Sequence, residues 1–226
     1  MADIPFLNPA ILKQLDLPVP SRETTPQLLE KLNLNRPYAP SIEIQSYRRL
    51  YGLDTLNCGH WQGYIEMPLF KLHVQAFQPK LPPQDKVKGT VVLLHGYLEH
   101  SGIYQPIIQE ILEQGFSVLT YDLPGHGLSN GSPASIQDFD HYQQVLHAVH
   151  QYVRHASQLP KPWLGIGQST GGAIWLHHLL ELRSAVKTLM WSACCCCRRS
   201  SGLRNLHGGI IRSGWALSGA LSAKCR

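Results

Sequence analysis

Short runs of apolar residues alternate with stretches of helical spacing along most of the chain, which predicts strands and helices in turn. An early pair, WQGYIEM and FKLHVQAFQP, has the pattern of a β-hairpin, with Met67, Pro68 and Leu69 near its turn. TVVLLHG is a continuous apolar run, the pattern of a strand buried on both faces. FSVLTYD is predicted to be another buried strand, and WLGIG and VKTLMWSA are predicted to be strands.

Three segments between these runs carry apolar residues at helical spacing. They are IYQPIIQEILEQG, which Gly115 is placed to end, DFDHYQQVLHAVHQYVRHA and TGGAIWLHHLLELR. The apolar faces are Ile103, Ile107, Ile108, Ile111 and Leu112 in the first, and Phe139, Tyr142, Leu146, Val149 and Tyr152 or Val153 in the second. Strands that alternate with helices predict an α/β fold with a mostly parallel sheet flanked by helices.

Charge and cysteine content change abruptly near residue 193. The net charge is +5, yet residues 194–226 hold six of the 20 basic residues and none of the 15 acidic ones. Five of the six cysteines also lie there, and only Cys58 lies outside. Two composition shifts at one point predict a boundary. We therefore expect an N-terminal extension over 1–40, a core over 41–193 and a basic, cysteine-rich tail over 194–226 that is not native to the fold.

The candidate chemistry centres on Gly167-Gln168-Ser169-Thr170-Gly171, a G-x-S-x-G pattern between a predicted strand and a predicted helix. This strand–turn–helix setting is that of a nucleophile elbow, whose tight turn needs small flanking residues such as Gly167 and Gly171. The following helix N-terminus supplies free N–H donors and partial positive charge. Ser169 is therefore the candidate nucleophile, and a glycine-rich turn with an incidental serine is the alternative.

A second motif, LLHGYLEHSG, follows the predicted strand TVVLLHG. Acyl transfer needs two backbone donors for the developing oxyanion, one directly after the nucleophile and one from the loop after the third strand. These positions fall on Thr170 and Tyr97. We interpret His95 as a structural residue that fixes the loop.

LLHGYLEHSGIY, YDLPGHGLSNG and GQSTGGAI together resemble the α/β-hydrolase superfamily, and within it the monoacylglycerol lipase and lysophospholipase branch, often grouped with the serine aminopeptidases S33. The resemblance covers residues 55 to 193, and Gln168 stands where the branch often has His. It implies an α/β-hydrolase fold and hydrolysis of monoacylglycerols, lysophospholipids or small carboxylic esters through an acyl-enzyme on Ser169. It implies neither a metal nor an organic cofactor. A peptidase or a thioesterase on the same scaffold is the alternative enzyme.

The base and its acid are harder to place. The superfamily order is Ser, then Asp or Glu, then His, and Glu181 and His207 fit that order. However, Glu181 lies about 18 Å along the helix from Ser169 at about 1.5 Å per residue. His177 and His178 share that difficulty, and His141, His147, His150 and His155 are expected on a solvated helix face. The triad acid and histidine therefore stay unassigned.

Three interpretations of the tail compete. Cys194 and Cys197 have C-x-x-C spacing for a metal or redox site, but no second ligand pair follows. A basic membrane- or RNA-binding tail would need an amphipathic face or interleaved aromatic residues. The third interpretation is a shifted reading frame, because consecutive TGT and TGC codons become Val, Ala or Leu codons in the other two frames.

We favour the shifted frame, with a departure from the ancestral frame near residue 193. The chain would then end after its sixth predicted strand, short of the family's eight, and would leave an apolar sheet edge prone to aggregation. A coding sequence with no better downstream frame would contradict this hypothesis.

The expected partners follow from these points. They are a small-molecule ester or lipid substrate, no nucleic acid and at most peripheral membrane contact. No basic region precedes an apolar run at the N-terminus, which favours a cytoplasmic location. The alternative from another class is a non-catalytic, truncated hydrolase fold that binds a lipid or a protein, or a remnant with no function.

Overall fold

Six strands form one mixed sheet in the computed structural model, which describes residues 29–36, 39–185 and 191–195. The strands are β1 (Cys58–Glu66), β2 (Lys71–Pro79), β3 (Thr90–Leu94), β4 (Ser117–Tyr121), β5 (Trp163–Gly167) and β6 (Trp191–Cys195). Their order across the sheet is β1-β2-β4-β3-β5-β6. β1 and β2 form an antiparallel hairpin and β2 runs antiparallel to β4, whereas the other pairs are parallel. The predicted hairpin and mostly parallel sheet are thus confirmed.

In the described ranges, four helices connect or flank these strands: α1 (Ile42–Leu50), α2 (Gln105–Glu113), α3 (Asp140–Val153) and α4 (Thr170–Ala185). The sequence predicted α2, α3 and α4 but not α1, which buries only Ile44, Ser46 and Tyr47. The predicted apolar face of α2 is wrong at Ile103. This residue precedes the helix in the 3₁₀ turn Ser101–Tyr104 and is 46% exposed.

Apolar side chains cover both faces of the sheet. On one face, α3 and α4 contribute Leu146, Val149 and Trp175 to a core that includes Leu94 and Leu119. On the other face, Ile108, Ile111 and Leu112 of α2 belong to a core that includes Leu93 of β3 and Val118 of β4. Burying each Leu, Val or Ile side chain contributes about 1.5–3 kcal/mol, so these two layers fix the sheet between the helices.

The described part of the predicted N-terminal extension lies along β1. Leu32 N donates to Tyr64 O at 2.9 Å, and Tyr64 N donates to Glu30 O at 3.0 Å. Leu32 and Leu34 are buried in the core under α3 and α4. The rest of the predicted extension, apart from residues 39 and 40, lies outside the described residues, as does the predicted tail from residue 196 onward.

No helix in the described ranges combines the length and the hydropathy needed to cross a bilayer.

Two histidines are packed between the helices and β5. Burial, strengthened by nearby histidines, lowers the pKa of His178 to about 4, and burial with Arg154 nearby lowers the pKa of His150 to about 4. The ring of His150 meets that of Trp163 edge-on at 4.8 Å, and His178 is 2% exposed. His150 and His141 are half-buried, so the expected solvated face is wrong for both, whereas His147 and His155 are exposed.

These low pKa values predict a loss of stability in mild acid. Between pH 6.5 and about 4 these two imidazoles are protonated in the unfolded chain but stay neutral in the folded chain. The free energy of unfolding therefore falls as the pH falls through this window. Asp122, whose ordinary pKa is 3.8, adds its own loss only at lower pH. Urea unfolding at pH 7.5 and 4.5 measures the difference. We expect His178→Gln to reduce this difference in the free energy of unfolding. His155→Gln, at an exposed site, should leave the difference unchanged. Equal stability of the wild type at both pH values would contradict the prediction.

Candidate active site

Ser169 occupies the turn between β5 and α4. It is exposed, and its backbone φ of 47° lies in the left-handed region, which a non-glycine residue rarely adopts. Gln168 N donates to Leu94 O at 3.1 Å, and Gly171 N donates to Gln168 O at 2.8 Å. These bonds hold the turn against the end of β3 and present the Ser169 side chain at the carboxyl edge of the sheet.

The two glycines of the pattern lie where no side chain fits. A Cβ on Gly171 would lie 2.4 Å from the carbonyl oxygen of Leu94, and a Cβ on Gly167 would lie 2.3 Å from the carbonyl carbon of Gly171. Both contacts are with backbone atoms, which cannot relieve a clash by rotating about a side-chain bond. The close approach of the turn to β3 therefore explains the G-x-S-x-G spacing.

The loop that carries Tyr97 leaves β3 beside this turn. β3 and β5 are parallel neighbours, so their carboxyl ends meet at the same sheet edge. Within the described part of the chain, neither the N–H of Tyr97 nor that of Thr170 donates a hydrogen bond. Thr170 is also the first residue of α4, where the helix dipole adds partial positive charge.

Three polar side chains tie the loop to the turn. Glu99 accepts a hydrogen bond from the N–H of Gly96 at 2.8 Å and another from the Tyr104 hydroxyl. Gln168 donates from Nε2 to Glu99 at 3.2 Å, and its Oε1 lies 2.8 Å from the Tyr104 hydroxyl oxygen. Burial and Glu99 raise the pKa of Tyr104, so it stays a neutral donor. The Tyr104 hydroxyl has one proton, which goes to either Glu99 or the Gln168 amide oxygen, and Gln168 lies against both partners.

His95 is buried behind the loop. Its Nδ1 donates to Gly96 O at 2.7 Å, and its Nε2 accepts from the N–H of Leu123 at 2.8 Å. Burial lowers its pKa and keeps the imidazole neutral. The ring thus ties the end of β3 to the end of β4, which agrees with the structural role inferred from the sequence.

The sequence analysis missed a buried polar centre below the site, formed around Asp122 at the end of β4. Its Oδ1 accepts from Ser101 N at 2.7 Å and Ser101 Oγ at 2.6 Å, and its Oδ2 accepts from His73 Nδ1 and Leu128 N at 2.8 Å each. Burial acts to raise the Asp122 pKa, but the neighbouring histidines His73, His100 and His95 together outweigh burial and hold this pKa well below its usual range. The signal for this centre is an acid directly after a buried strand.

The structure brings Ser169, Tyr97 and Thr170 to one edge of the sheet, and the residues it describes place no base there. Among the described residues, no histidine or carboxylate hydrogen-bonds the Ser169 hydroxyl. His177 lies along α4 beside Asp140 of α3, with Nε2 at 3.6 Å from Oδ1, and Glu181 lies one turn further. His207 lies outside the described residues.

The order of the six strands, the helices on both faces and the sharp turn between β5 and α4 define an α/β-hydrolase. The Hydrolase_4 family, described as serine aminopeptidase, S33, matches residues 85–210, more than half of the chain. The chain therefore belongs to this family. The match includes all three motifs that carry the resemblance.

Individual relatives are esterases and lipases. Caffeoylshikimate esterase of Arabidopsis thaliana is 33% identical over 137 residues, which cover 58% of this chain and 40% of that protein. Monoacylglycerol lipase of Mycolicibacterium smegmatis is 32% identical over 93 residues, or 41% of this chain and 32% of the lipase. The Pyrococcus furiosus esterase Pf2001 has 24% identity and a TM-score of 0.46, covering 57% of this chain and 49% of its own. This chain spans less than half the length of each of these proteins.

Proposed function

We propose that the chain belongs to a carboxylic-ester hydrolase that forms an acyl-enzyme on Ser169. The observation that carries this proposal is the strained φ of 47° at an exposed serine directly before a helix N-terminus. Strain of this kind costs about 1–3 kcal/mol and persists where the surroundings enforce it, which favours a functional role.

In the proposed reaction, Ser169 Oγ attacks the ester carbonyl carbon while its proton passes to a general base. The carbonyl oxygen becomes an oxyanion and accepts hydrogen bonds from the N–H groups of Tyr97 and Thr170. Loss of one such donor typically costs about 3 kcal/mol of transition-state stabilisation. The alcohol leaves with a proton, and water then releases the acid and restores Ser169.

The Glu99–Tyr104–Gln168 bonds support this role of the loop. They restrain Gly96 and Gln168, which directly precede Tyr97 and Ser169, so the donor and the nucleophile keep a fixed spacing. Preorganised donors need no rearrangement as charge develops, which is the main source of their effect.

The proposed substrates are monoacylglycerols, lysophospholipids or small carboxylic esters. The names of the relatives favour esters, and one relative is a monoacylglycerol lipase. Tyr97 and Leu98, 55% and 64% exposed in the loop after β3, offer apolar surface suited to an acyl chain. A peptidase or thioesterase on the same scaffold is a second enzymatic candidate.

A non-catalytic binding protein is the candidate from another class. It is favoured by the absence, within the described residues, of a base bonded to Ser169. Without a base a serine hydroxyl is a poor nucleophile, although an oxyanion hole alone retains part of the rate.

Covalent labelling with a fluorophosphonate separates the two candidates. For the hydrolase, we expect one phosphonyl adduct, mapped to Ser169 by mass spectrometry and lost in Ser169→Ala. Ser157→Ala, which removes another exposed serine, is the control and should label like the wild type. A folded wild-type chain that does not label would favour the binding protein.

A further inference from the structure

A mixed set of metal-binding side chains lies where α3 meets α4, apart from the Ser169 site. Asp140 begins α3, and His177 and Glu181 lie four residues apart on α4. One ligand atom from each residue can be chosen such that all three lie within 4.8 Å of one another. Residues at this helical spacing lie on the same side of a helix, so both α4 side chains face Asp140.

These separations are close to those of a coordination sphere. With metal–ligand distances of about 2.1 Å, adjacent ligands in an octahedron lie about 3 Å apart and opposite ligands about 4.2 Å apart. The distance from His177 Nε2 to Asp140 Oδ1 is 3.6 Å, between these two values. Small side-chain rotations therefore bring all three atoms onto one ion, without movement of either helix.

The imidazole is held in the orientation that this requires. The Phe139 ring meets the His177 ring edge-on, with the centroids 5.6 Å apart. His177 Nδ1 is buried and has no hydrogen-bond partner among the described residues, whereas Nε2 faces Asp140. Only Nε2 is thus available to a ligand at the surface.

We propose that Asp140, His177 and Glu181 bind a divalent first-row transition-metal ion, such as Mn²⁺, with water completing the coordination. Imidazole suits transition metals and carboxylates suit harder cations, so one nitrogen and two carboxylate ligands fit an ion between these extremes. Two ligands come from α4 and one from α3, so the ion clamps the two helices together. α4 begins directly after Ser169, and the clamp therefore braces the helix that supports the turn.

Mn²⁺ binding to the full-length chain tests this proposal. Mn²⁺ is the probe because the tail cysteines prefer softer ions, whereas carboxylates suit Mn²⁺. Loss of the free-ion signal in electron paramagnetic resonance measures binding, and the melting temperature with and without Mn²⁺ measures the clamp. We expect one equivalent to bind and the melting temperature to rise, since a ligand that binds only the folded state stabilises it.

The variants locate the site. We expect His177→Ala and Glu181→Gln each to weaken binding at least tenfold and to abolish the rise in melting temperature. Asp85→Asn and His155→Ala remove an exposed acid and an exposed histidine elsewhere and should bind like the wild type. Glu181→Gln preserves size and shape, so it remains informative if His177→Ala does not fold. Absence of Mn²⁺ binding to the wild type, or unchanged binding in both site variants, would overturn the proposal.

Discussion

Asp122→Asn is expected to lower the free energy of unfolding by about 1–3 kcal/mol, the usual cost of leaving a buried hydrogen-bonding group without its partner. The side chains of Asp122 and His73 are both fully buried, and their contact distance is 2.8 Å. Because a small domain is typically stable by only about 5–15 kcal/mol, this one change would remove a large share of the total.

The loss arises from hydrogen bonding and charge, since Asn has nearly the same size as Asp. The carboxylate accepts from donors on three residues, Ser101, Leu128 and His73. The amide NH₂ of Asn would instead face groups that are themselves hydrogen-bond donors. At least one buried N–H would then have no acceptor. The loops after β3 and β4, which both meet this carboxylate, would loosen together.

Urea unfolding at pH 7.5 measures the change for Asp122→Asn. Asp85→Asn is the matched control, because Asp85 is exposed and this variant should stay within about 0.5 kcal/mol of the wild type. A loss below about 1 kcal/mol in Asp122→Asn would contradict the assigned role of the buried centre.

Gly171→Ala is expected to slow fluorophosphonate labelling of Ser169 on the order of 100-fold, because a misplacement of about 1 Å has that effect on a catalytic group. The new methyl group would lie 2.4 Å from the carbonyl oxygen of Leu94. β3 is held on both sides by β4 and β5, so the turn has to move and β3 does not. Overpacking of this kind also costs about 1–3 kcal/mol of stability.

Labelling rates and urea unfolding of the same samples separate the two effects. Ala173→Ser is the control, because it adds one heavy atom two residues further along α4 at an exposed position. We expect it to label and unfold like the wild type. If Gly171→Ala matched the wild type in both measurements, the close packing of the turn on β3 would be wrong.

The sequence predicted the features that depend on local pattern. Short apolar runs located β3, β4 and β5, and glycine spacing located the turn at Ser169, because a tight turn restricts its own residues. Helix α1 escaped prediction because its sequence, IEIQSYRRL, is largely polar and buries few side chains. Ile103 was misplaced for a similar reason: periodicity does not reveal that the helix begins two residues later, at Gln105.

Local patterns of this kind do not predict contacts between segments that are far apart in the sequence. The Asp122 centre joins residues from β2, β4 and the loop after β3, and nothing near Asp122 in sequence indicates His73. The bonds of Gln168 to Glu99 and Tyr104 likewise depend on β3 lying next to β5. The resemblance to a family predicted this neighbourhood, but only the fold supplies the partners of each polar group.

The pairing of β3 with β5 also bears on when reactivity arises during folding. Thr90 pairs with Trp163, so the chain has to close a long loop before Tyr97 and Ser169 become neighbours. Contacts between segments far apart in sequence form slowly. The left-handed backbone at Ser169 is enforced by that pairing, so a nascent or partly folded chain would carry an ordinary serine there. The rate at which Ser169 acquires its reactivity after dilution from denaturant would thus measure the rate at which the sheet is completed.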